Sequence, residues 1–273
     1  MNGPDVAELQ RLLTRAGFPV PDVGNFGPVT DNAVRSYQAE HGLVVDGVAG
    51  PRTMASLRGE MPPSDPPPQA EIWGVDVSEF NSPDVPALAA AGCSFAILRG
   101  MTGSDNTGKM RADAKVHSHY RAFTDAGIEV VGFYGWVVSS RTGVEQARLL
   151  RATVKDYSGW LAPDHEPSKV RFVDPAQATG ATVGFVREVE SDGSKAVVYT
   201  GPWAVAQAPL LALGHCPLWL SNFAPTWPTK VPTPWTSIAL WQCGFVDPNA
   251  PDNRKIDKNI FRGPLADLKA LGK

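Results

Sequence analysis

The stretch WLAPDHE (residues 160–166) joins an apolar, strand-forming run to two acids at its end. In an extended chain, residues two apart point to the same side, so Asp164 and Glu166 should project together while His165 faces away. The stretch IWGVDV (residues 72–77) also carries an aspartate near the end of an apolar run. This pattern is typical of strands that present carboxyl groups at one end.

Similar apolar and β-branched runs recur on both sides of this stretch, separated by helical patterns such as those at residues 86–91 and 120–126. Strands that alternate with helices imply parallel pairing. About 200 residues of such alternation is close to the size of a (β/α) barrel. The sequence therefore predicts the α/β class, with a TIM-like (β/α) barrel over residues 71–273. The predicted strands cover residues 72–77, 94–98, 130–136, 160–162, 196–199, 218–220 and 238–241.

Four acids follow or end apolar runs in this half: Asp76, Asp164, Glu166 and Asp257. The site of such a barrel lies at the C-terminal ends of its strands, so these acids are candidates for chemistry. Glycoside hydrolysis needs one carboxyl group that holds a proton and another that stays ionised. Neighbouring acids supply this division, because like charges in one site raise the pKa of one member.

Residues 1–60 have a different pattern, which predicts a small all-α domain of three helices. Pro4 suits the first turn of a helix, Gly17 suits its C-terminal cap, and the second helix should end at Gly42. The inward residues of the three helices are Val6, Leu9, Leu12, Leu13 and Ala16, then Ala33, Val34 and Tyr37, then Met54 and Leu57. After them, MPPSDPPPQA (residues 61–70) is rich in proline, which indicates a stiff inter-domain linker.

A short repeat occurs within the helical domain. GNFGPVT (residues 24–30) and GVAGPRT (residues 47–53) share the pattern G-x-x-G-P-x-T, a flexible turn followed by a helix that starts with proline. The run from Asp5 to Leu57 that contains both copies resembles the peptidoglycan-binding domain family found in wall hydrolases. The resemblance implies that residues 1–60 bind bacterial peptidoglycan.

Composition excludes several other functions. The formal net charge is -3 and neither half is basic, which disfavours nucleic acid as a partner. No apolar stretch approaches membrane-spanning length, so membrane insertion is not expected. Three cysteines, Cys93, Cys216 and Cys243, have no CxxC spacing, so we interpret them as small core residues rather than as disulfides or zinc ligands. His117 and His119 are two apart in a helical pattern, which places them on different faces and argues against a shared metal ion. We expect no metal and no cofactor.

The larger half resembles the lysozyme-like muramidases of glycoside hydrolase family 25. The resemblance is carried by short motifs in matching order along the whole of this half, among them GVDVSEFN (residues 74–81), PDHE (163–166), PLWLSNF (217–223), LWQCG (240–244) and IDKNIF (256–261). It implies that Glu166 is the general acid, with Asp164 as its charged neighbour and Asp76 and Asp257 completing the acid cluster. Four aromatic residues are placed to line a sugar groove: Tyr134, Trp136, Trp219 and Trp241. Gln146 occupies a position where the family often has glutamine.

Several positions depart from the family pattern. Its usual Lys-Ala-Thr-Glu-Gly is replaced by RGMTG (residues 99–103), its Asn by His119, and its Tyr-His-Phe by YGW (residues 134–136). Pro163 directly before the acid pair is also unusual, because proline withholds a ladder hydrogen bond. These changes keep all four acids and bear on subsite preference.

The resemblance favours an N-acetylmuramidase that cleaves the β-1,4 bond between N-acetylmuramic acid and N-acetylglucosamine, acting as a monomer on bacterial peptidoglycan. A catalytically inactive wall-binding protein is an alternative, and a zinc amidase is disfavoured because HExxH is absent. The start MNGPDVAELQ has no secretory signal pattern, so we expect synthesis in the host cytoplasm and action on the cell wall, as in a phage endolysin. A bacterial autolysin remains the other reading, and retaining, inverting and substrate-assisted courses all stay open.

Overall fold

The computed structural model describes residues 3–273 except 22, 23, 42, 44, 46, 61–70, 168–173, 248 and 250–254. The chain divides into two compact units, Met1–Pro68 and Gln69–Lys273. The expected linker at residues 61–70 and Gly42, the expected end of the second helix, lie outside the described residues. None of the described helices is both long and apolar enough to cross a membrane.

The smaller unit contains three helices, α1 (Pro4–Arg15), α2 (Pro28–Glu40) and α3 (Pro51–Leu57). Each begins with proline, whose fixed φ and missing N–H suit a first helical turn. After α1 the chain reverses at Gly17, which has a φ of 94° that disfavours side chains with a Cβ. The helices enclose a small apolar core, whose buried members are Leu9, Leu13, Val20, Val34, Tyr37 and Leu57.

The repeated turn is held in the same way in both copies, by a buried glutamine of the preceding helix. Gln10 accepts a hydrogen bond from the Gly24 amide (2.9 Å) and donates to Thr30 Oγ1 (3.0 Å). Gln38 accepts from the Gly47 amide (2.9 Å) and donates to Thr53 Oγ1 (3.2 Å). The glycine and threonine that the two copies share are therefore bridged by one glutamine side chain, which satisfies buried polar groups.

The larger unit is built on nine strands. They are β1 (Glu71–Val77), β2 (Phe95–Ser104), β3 (Lys109–Ala112), β4 (Glu129–Trp136), β5 (Trp160–His165), β6 (Val198–Thr200), β7 (Leu218–Ser221), β8 (Leu240–Phe245) and β9 (Asp257–Arg262). The sheet order is β1-β9-β8-β7-β6-β5-β4-β2-β3, and β1 also pairs with β2. Eight strands thus form a closed barrel, and β3 extends it as a hairpin on β2. The α/β barrel expected from the sequence is confirmed.

One strand runs against the rest of the barrel. From β1 through β8 the neighbouring barrel strands pair in parallel, whereas β9 is antiparallel to both β8 and β1. Neither β3 nor β9 is among the strands expected from the sequence pattern. Closure by β9 leaves no open edge between β1 and β8.

Helices cover the outside of the barrel. They are α4 (Val85–Ala90), α5 (Val116–Asp125), α6 (Gly143–Thr153), α7 (Pro175–Glu190), α8 (Pro202–Gln207) and α9 (Leu265–Lys269). Alternate strand residues face this outer layer or the barrel interior. In β1, for example, Val75 and Val77 belong to the outer core, whereas Gly74 lies against Phe95 of the inner core. Asp76 shares the inward phase of Gly74.

A register shift in β4 sets which aromatic residues enter the barrel. Ala96 of β2 pairs with Val130, and the next residue, Ile97, pairs with Gly132, so Val131 is an extra residue. Such a bulge reverses the alternation that follows it. As a result Phe133 packs in the outer core and Tyr134 in the inner one.

Close packing of α6 against α7 depends on glycine. A Cβ at Gly143 would overlap the backbone of α7 at Ala181 and Phe185, whereas a Cβ at Gly180 would meet no atom within 4 Å. We expect Gly143→Ala to lower the free energy of unfolding by about 1–3 kcal/mol through overpacking. The matched change Gly180→Ala should raise it by about 0.5–1 kcal/mol, because alanine restricts the unfolded chain and favours helix.

Urea unfolding of the two variants measures both effects on one helix pair. Equal effects of the two substitutions would contradict this packing.

Candidate active site

The C-terminal ends of the parallel strands bring polar residues together inside the barrel. Asp76 of β1 is 6% exposed and Asp164 of β5 is 5% exposed, although both are carboxyl groups. Buried carboxyl groups are uncommon unless they are paired or functional. The interior of the barrel is therefore apolar along most of the strands and acidic at their C-terminal ends.

Asp257 lies directly opposite Asp76, since the two are register partners on the antiparallel strands β9 and β1. Side chains of directly opposed residues lie about 4.5–5.5 Å apart at Cβ, and like charges in such a pair repel. Asp257 is also only partly exposed. The fold thus places two aspartates side by side that lie near the start and the end of the larger unit's sequence.

Two amides fix the orientation of Asp76. Its Oδ2 accepts hydrogen bonds from Gln242 Nε2 (2.9 Å) and Asn259 Nδ2 (2.8 Å). Gln242 Oε1 in turn accepts from the Tyr199 hydroxyl (2.9 Å). Asn259 Oδ1 accepts from Trp219 Nε1 (2.7 Å). Each amide is therefore oriented by a further donor, and Asp76 is held rigidly.

The pair Asp164 and Glu166 comes from the opposite side of the barrel, at the end of β5. His165 between them faces outward, where its Nδ1 lies 2.8 Å from Thr182 Oγ1 of α7 and its Nε2 lies 3.0 Å from the Ala208 carbonyl. The alternation expected from the sequence is thus observed at His165. Asp164 Oδ1 is buried without a hydrogen-bond partner. Glu166 is more exposed than Asp164.

The four acids act on each other electrostatically. Burial raises the pKa of Asp257 to about 8, and Asp76 and Glu166 add to this rise. Burial also raises the pKa of Asp76 to about 6; hydrogen bonds from Asn259 and Gln242 oppose this rise, and the charge of Glu166 adds to it. The pKa of Asp164 lies well above its usual range because of burial, followed by the charges of Glu166 and Asp76. The structure therefore brings all four acids proposed from the sequence close enough to interact electrostatically.

One buried cation borders this group. Arg99 of β2 donates from Nε to Asp113 Oδ2 (2.8 Å), and its Nη2 lies 3.4 Å from Glu79 Oε1. Its charge opposes the rise in the pKa of Asp164. Arg111 and other donors in turn lower the pKa of Glu79 to about 2. Arg99 is thus neutralised by two carboxylates and leaves the acid cluster largely uncompensated.

The four aromatic residues expected to line a groove differ in position. Trp136, at the end of β4, is partly exposed. Tyr134 is buried close to the acids, and the pKa of its hydroxyl is raised first by burial and then by the charges of these acids. Trp219 is 1% exposed and Trp241 is 4% exposed. These two rings present no open face to a sugar, which corrects the expectation for them. Trp219 belongs to the inner core and orients Asn259, and Trp241 donates to the Asn222 carbonyl (2.6 Å).

Two exposed aromatic residues were not expected from the sequence. Phe80 follows β1 and is 71% exposed, and Phe223 follows β7 and is 55% exposed. Both lie just beyond the C-terminal ends of parallel strands, the end of the barrel at which the acids lie. The motifs GVDVSEFN and PLWLSNF contain these rings, and their place after the strand could have identified them. Gln242 and Asn259, whose amides donate to Asp76, were likewise not among the residues expected from the sequence.

Gln146 has a structural role. It is fully buried, accepts from the Val138 amide (2.7 Å) and donates to the Val138 carbonyl (3.0 Å) and the Arg141 carbonyl (3.2 Å). These bonds tie the loop after β4 to α6. Two of the three cysteines, Cys93 and Cys216, are buried as expected, whereas Cys243 is only partly buried.

The smaller unit has a pocket of its own, with a volume of about 420 Å³. Apolar side chains such as Leu9, Phe26 and Met54 line it, together with the charged Glu8 and Arg58, which form an ion pair at 2.8 Å. A pocket with an apolar floor and a few polar groups is typical of a binding site for a small polar ligand.

Comparison with solved structures relates the larger unit to known proteins. A family GH25 lysozyme from Aspergillus fumigatus superposes with a TM-score of 0.62 at 22% identity, over 75% of this chain and 100% of that one. The larger unit has the fold of the family 25 lysozymes. A bacterial lysozyme from Streptomyces coelicolor also matches this fold, with a TM-score of 0.60 at 22% identity, over 74% of this chain and 97% of the other.

The smaller unit matches a sequence family. Residues 2–57 match the model described as "Putative peptidoglycan binding domain". The N-acetylmuramoyl-L-alanine amidase CwlM of Mycobacterium tuberculosis is 52% identical over 56 residues, which is 20% of this chain and 14% of that protein. The chain therefore spans a small part of that relative. The resemblance of residues 1–60 to peptidoglycan-binding domains is confirmed.

The raised pKa of Asp257 makes stability depend on pH. Between the unfolded value of about 3.9 and about 8, the folded state binds more protons than the unfolded state, so the free energy of unfolding falls as pH rises. Asp257→Asn removes this loss. We expect its gain in Tm over the wild type to be small at pH 4 and to grow by about 10 °C by pH 8.

Differential scanning calorimetry across this range measures the gain. Asp156→Asn, at an exposed position outside the cluster, is the matched control and should give a constant difference. A gain from Asp257→Asn that does not change with pH would show that burial and the neighbouring acids do not raise the pKa of Asp257.

Proposed function

We propose that this chain is a peptidoglycan hydrolase, an N-acetylmuramidase that cleaves the β-1,4 bond between N-acetylmuramic acid and N-acetylglucosamine. The observation that carries the proposal is the cluster of Asp76, Asp164, Glu166 and Asp257 at the C-terminal end of the barrel, with pKa values raised for three of its members. The family 25 lysozyme fold and the match of residues 2–57 to a peptidoglycan-binding family support the same substrate.

The cluster can provide both a protonated carboxyl group and an ionised one, which glycoside hydrolysis requires. Carboxyl groups this close and this buried cannot all ionise at neutral pH, so the site retains a proton that an acid can give to the leaving oxygen. The members that do ionise stabilise the positive charge that develops on the sugar ring. A metal ion is not required for either step.

We propose Glu166 as the general acid. It lies beyond the end of β5 and is more exposed than Asp164, so it can reach a glycosidic oxygen in a substrate. Asp164, whose Oδ1 has no hydrogen-bond partner, lies beneath it as its charged or proton-sharing neighbour. Asp76, held by Gln242 and Asn259, is a rigid carboxyl group on the other side of the site.

Exposed aromatic rings around the site fit a glycan. Phe80, Phe223 and Trp136 lie at or just after the C-terminal ends of β1, β7 and β4, and offer faces against which sugar C–H groups can pack. We propose these three, with Tyr134 near the acids, as the residues that position the sugar chain. They take the role first expected of Trp219 and Trp241.

We further propose the domain organisation read from the sequence. Residues 1–60 bind the wall through the pocket next to Arg58, residues 61–70 are the linker, and residues 71–273 cut the glycan. A tethered binding domain raises the local concentration of the hydrolase at its polymer. The biological role that fits these parts is lysis of a bacterial host by a phage, with the chain made in the host cytoplasm and acting as a monomer.

Replacement of the proposed general acid should separate cutting from binding. We expect Glu166→Gln to reduce the rate of wall hydrolysis by about 10²–10⁴-fold, because glutamine cannot donate the proton. Sedimentation with purified cell walls should show unchanged binding, since residues 2–57 are untouched. Glu145→Gln, at an exposed position of α6, is the control and should keep full activity. Full activity of Glu166→Gln would refute its role.

The products identify the bond that is cut. Digests of purified peptidoglycan, reduced with borohydride and analysed by mass spectrometry, should contain N-acetylmuramitol at the new ends. N-acetylglucosaminitol would indicate a glucosaminidase, and new amino groups without new reducing ends would indicate an amidase. Binding without any new ends would make the chain a wall-binding protein that does not cut.

A further inference from the structure

A second cluster of reactive side chains lies at the other end of the barrel. It consists of Glu190, the last residue of α7, with His215 and Cys216, which lie just before β7 begins. The N-terminal ends of the parallel strands are opposite the acids. Within the described part of the chain, these are the three His, Cys, Asp or Glu residues whose ligand atoms converge closely enough to share a metal ion.

The ligand atoms of the cluster lie at distances close to the edges of a metal coordination tetrahedron, with a different oxygen of Glu190 nearest to each of the other two residues, and one ligand atom from each residue lies within 4.8 Å of the others. Cys216 Sγ lies 3.5 Å from His215 Nε2, His215 Nε2 lies 3.2 Å from Glu190 Oε2, and Cys216 Sγ lies 3.7 Å from Glu190 Oε1. Tetrahedral zinc with ordinary bond lengths to sulfur, nitrogen and oxygen requires edges of about 3.4–3.6 Å. Both oxygens of the Glu190 carboxylate face the cluster, so it can bind through either one.

The backbone that carries these ligands is already held in place. The Cys216 carbonyl accepts a hydrogen bond from Trp235 Nε1 (3.0 Å), and its amide donates to the Leu213 carbonyl (3.1 Å). Val189, the neighbour of Glu190, is 1% exposed in the core, which anchors the end of α7. A site with fixed ligands loses little conformational freedom on binding.

We propose that Glu190, His215 and Cys216 bind one divalent transition-metal ion of the zinc type. A thiolate and an imidazole select zinc, cobalt or copper over magnesium or calcium, which prefer oxygen ligands. A thiolate and a carboxylate balance the two positive charges, so the bound site is neutral. His215 is exposed, which leaves the fourth position open to water.

Binding exchanges a proton for the metal. Burial raises the pKa of the Cys216 thiol to about 12, and the charge of Glu190 adds to the rise. In the absence of metal the thiol is therefore protonated, and M²⁺ displaces one H⁺ to the solvent when it binds sulfur. The bound ion would cross-link the end of α7 to the segment that leads into β7 and would stabilise the fold.

Cobalt(II) tests the proposal directly in the full chain. One equivalent should produce a sulfur-to-cobalt charge-transfer absorption in the near ultraviolet, which zinc added afterwards removes. Cys216→Ser should abolish the band, whereas Cys243→Ser, which changes a partly buried cysteine outside the cluster, should leave it unchanged. His215→Gln, a change at an exposed side chain, provides a second loss of binding that does not disturb the core.

Thermal unfolding gives an independent readout. Zinc at a hundred times its dissociation constant should raise the Tm of the wild type by about 5–10 °C and leave that of Cys216→Ser unchanged. Wall hydrolysis by Cys216→Ser should equal that of the wild type, because the cluster is remote from the acids. The proposal is overturned if cobalt gives no thiolate band, or if Cys216→Ser and Cys243→Ser behave alike.

Discussion

Strand β9 runs against both of its neighbours, and this closure holds Asp257 directly across from Asp76. The same strand supplies Asn259, which donates to Asp76 from the inward face two residues further on. A parallel strand in this place would present its C-terminal end to the site, whereas β9 presents its first residues. The acid pair, its hydrogen bonds and the raised pKa of Asp257 all follow from the direction of one strand.

Much of this arrangement was predictable from alternation along single strands. Asp164 and Glu166 were expected on one side and His165 on the other, and His165 does bond outward to Thr182. The parallel strands were predicted because they are apolar on both faces and separated by helices. The family resemblance also predicted the fold and indicated that the four acids belong to one site.

The parts that were not predicted depend on contacts between distant segments. Strand β9 was missed because its inward residues include Asp257 and Asn259, which face a polar site and break the apolar pattern. Trp219 was expected in a groove, but its strand position points into the barrel, where it packs against Tyr199 and orients Asn259. Cys216 was interpreted as a simple core residue because neither Glu190 nor the spacing around it suggests a cluster.

The barrel separates two kinds of polar site. At the C-terminal ends of its strands, buried carboxyl groups face each other with little compensating charge, an arrangement that costs stability and provides acid chemistry. At the other end, Glu190, His215 and Cys216 form a compact group next to solvent. The acid cluster is built from residues spread over the whole larger unit, and the second site from the end of one helix and the segment just before one strand.

Infrared difference spectroscopy of the carboxyl C=O stretch measures proton sharing in the acid cluster most directly. We predict that the wild type at pH 7 retains at least one protonated carboxyl group, whose signal is lost on titration to higher pH and is changed by isotope exchange of the proton. A spectrum at pH 7 that contains only ionised carboxylates would contradict it, because Asp76, Asp164, Glu166 and Asp257 would then titrate as independent, solvated acids.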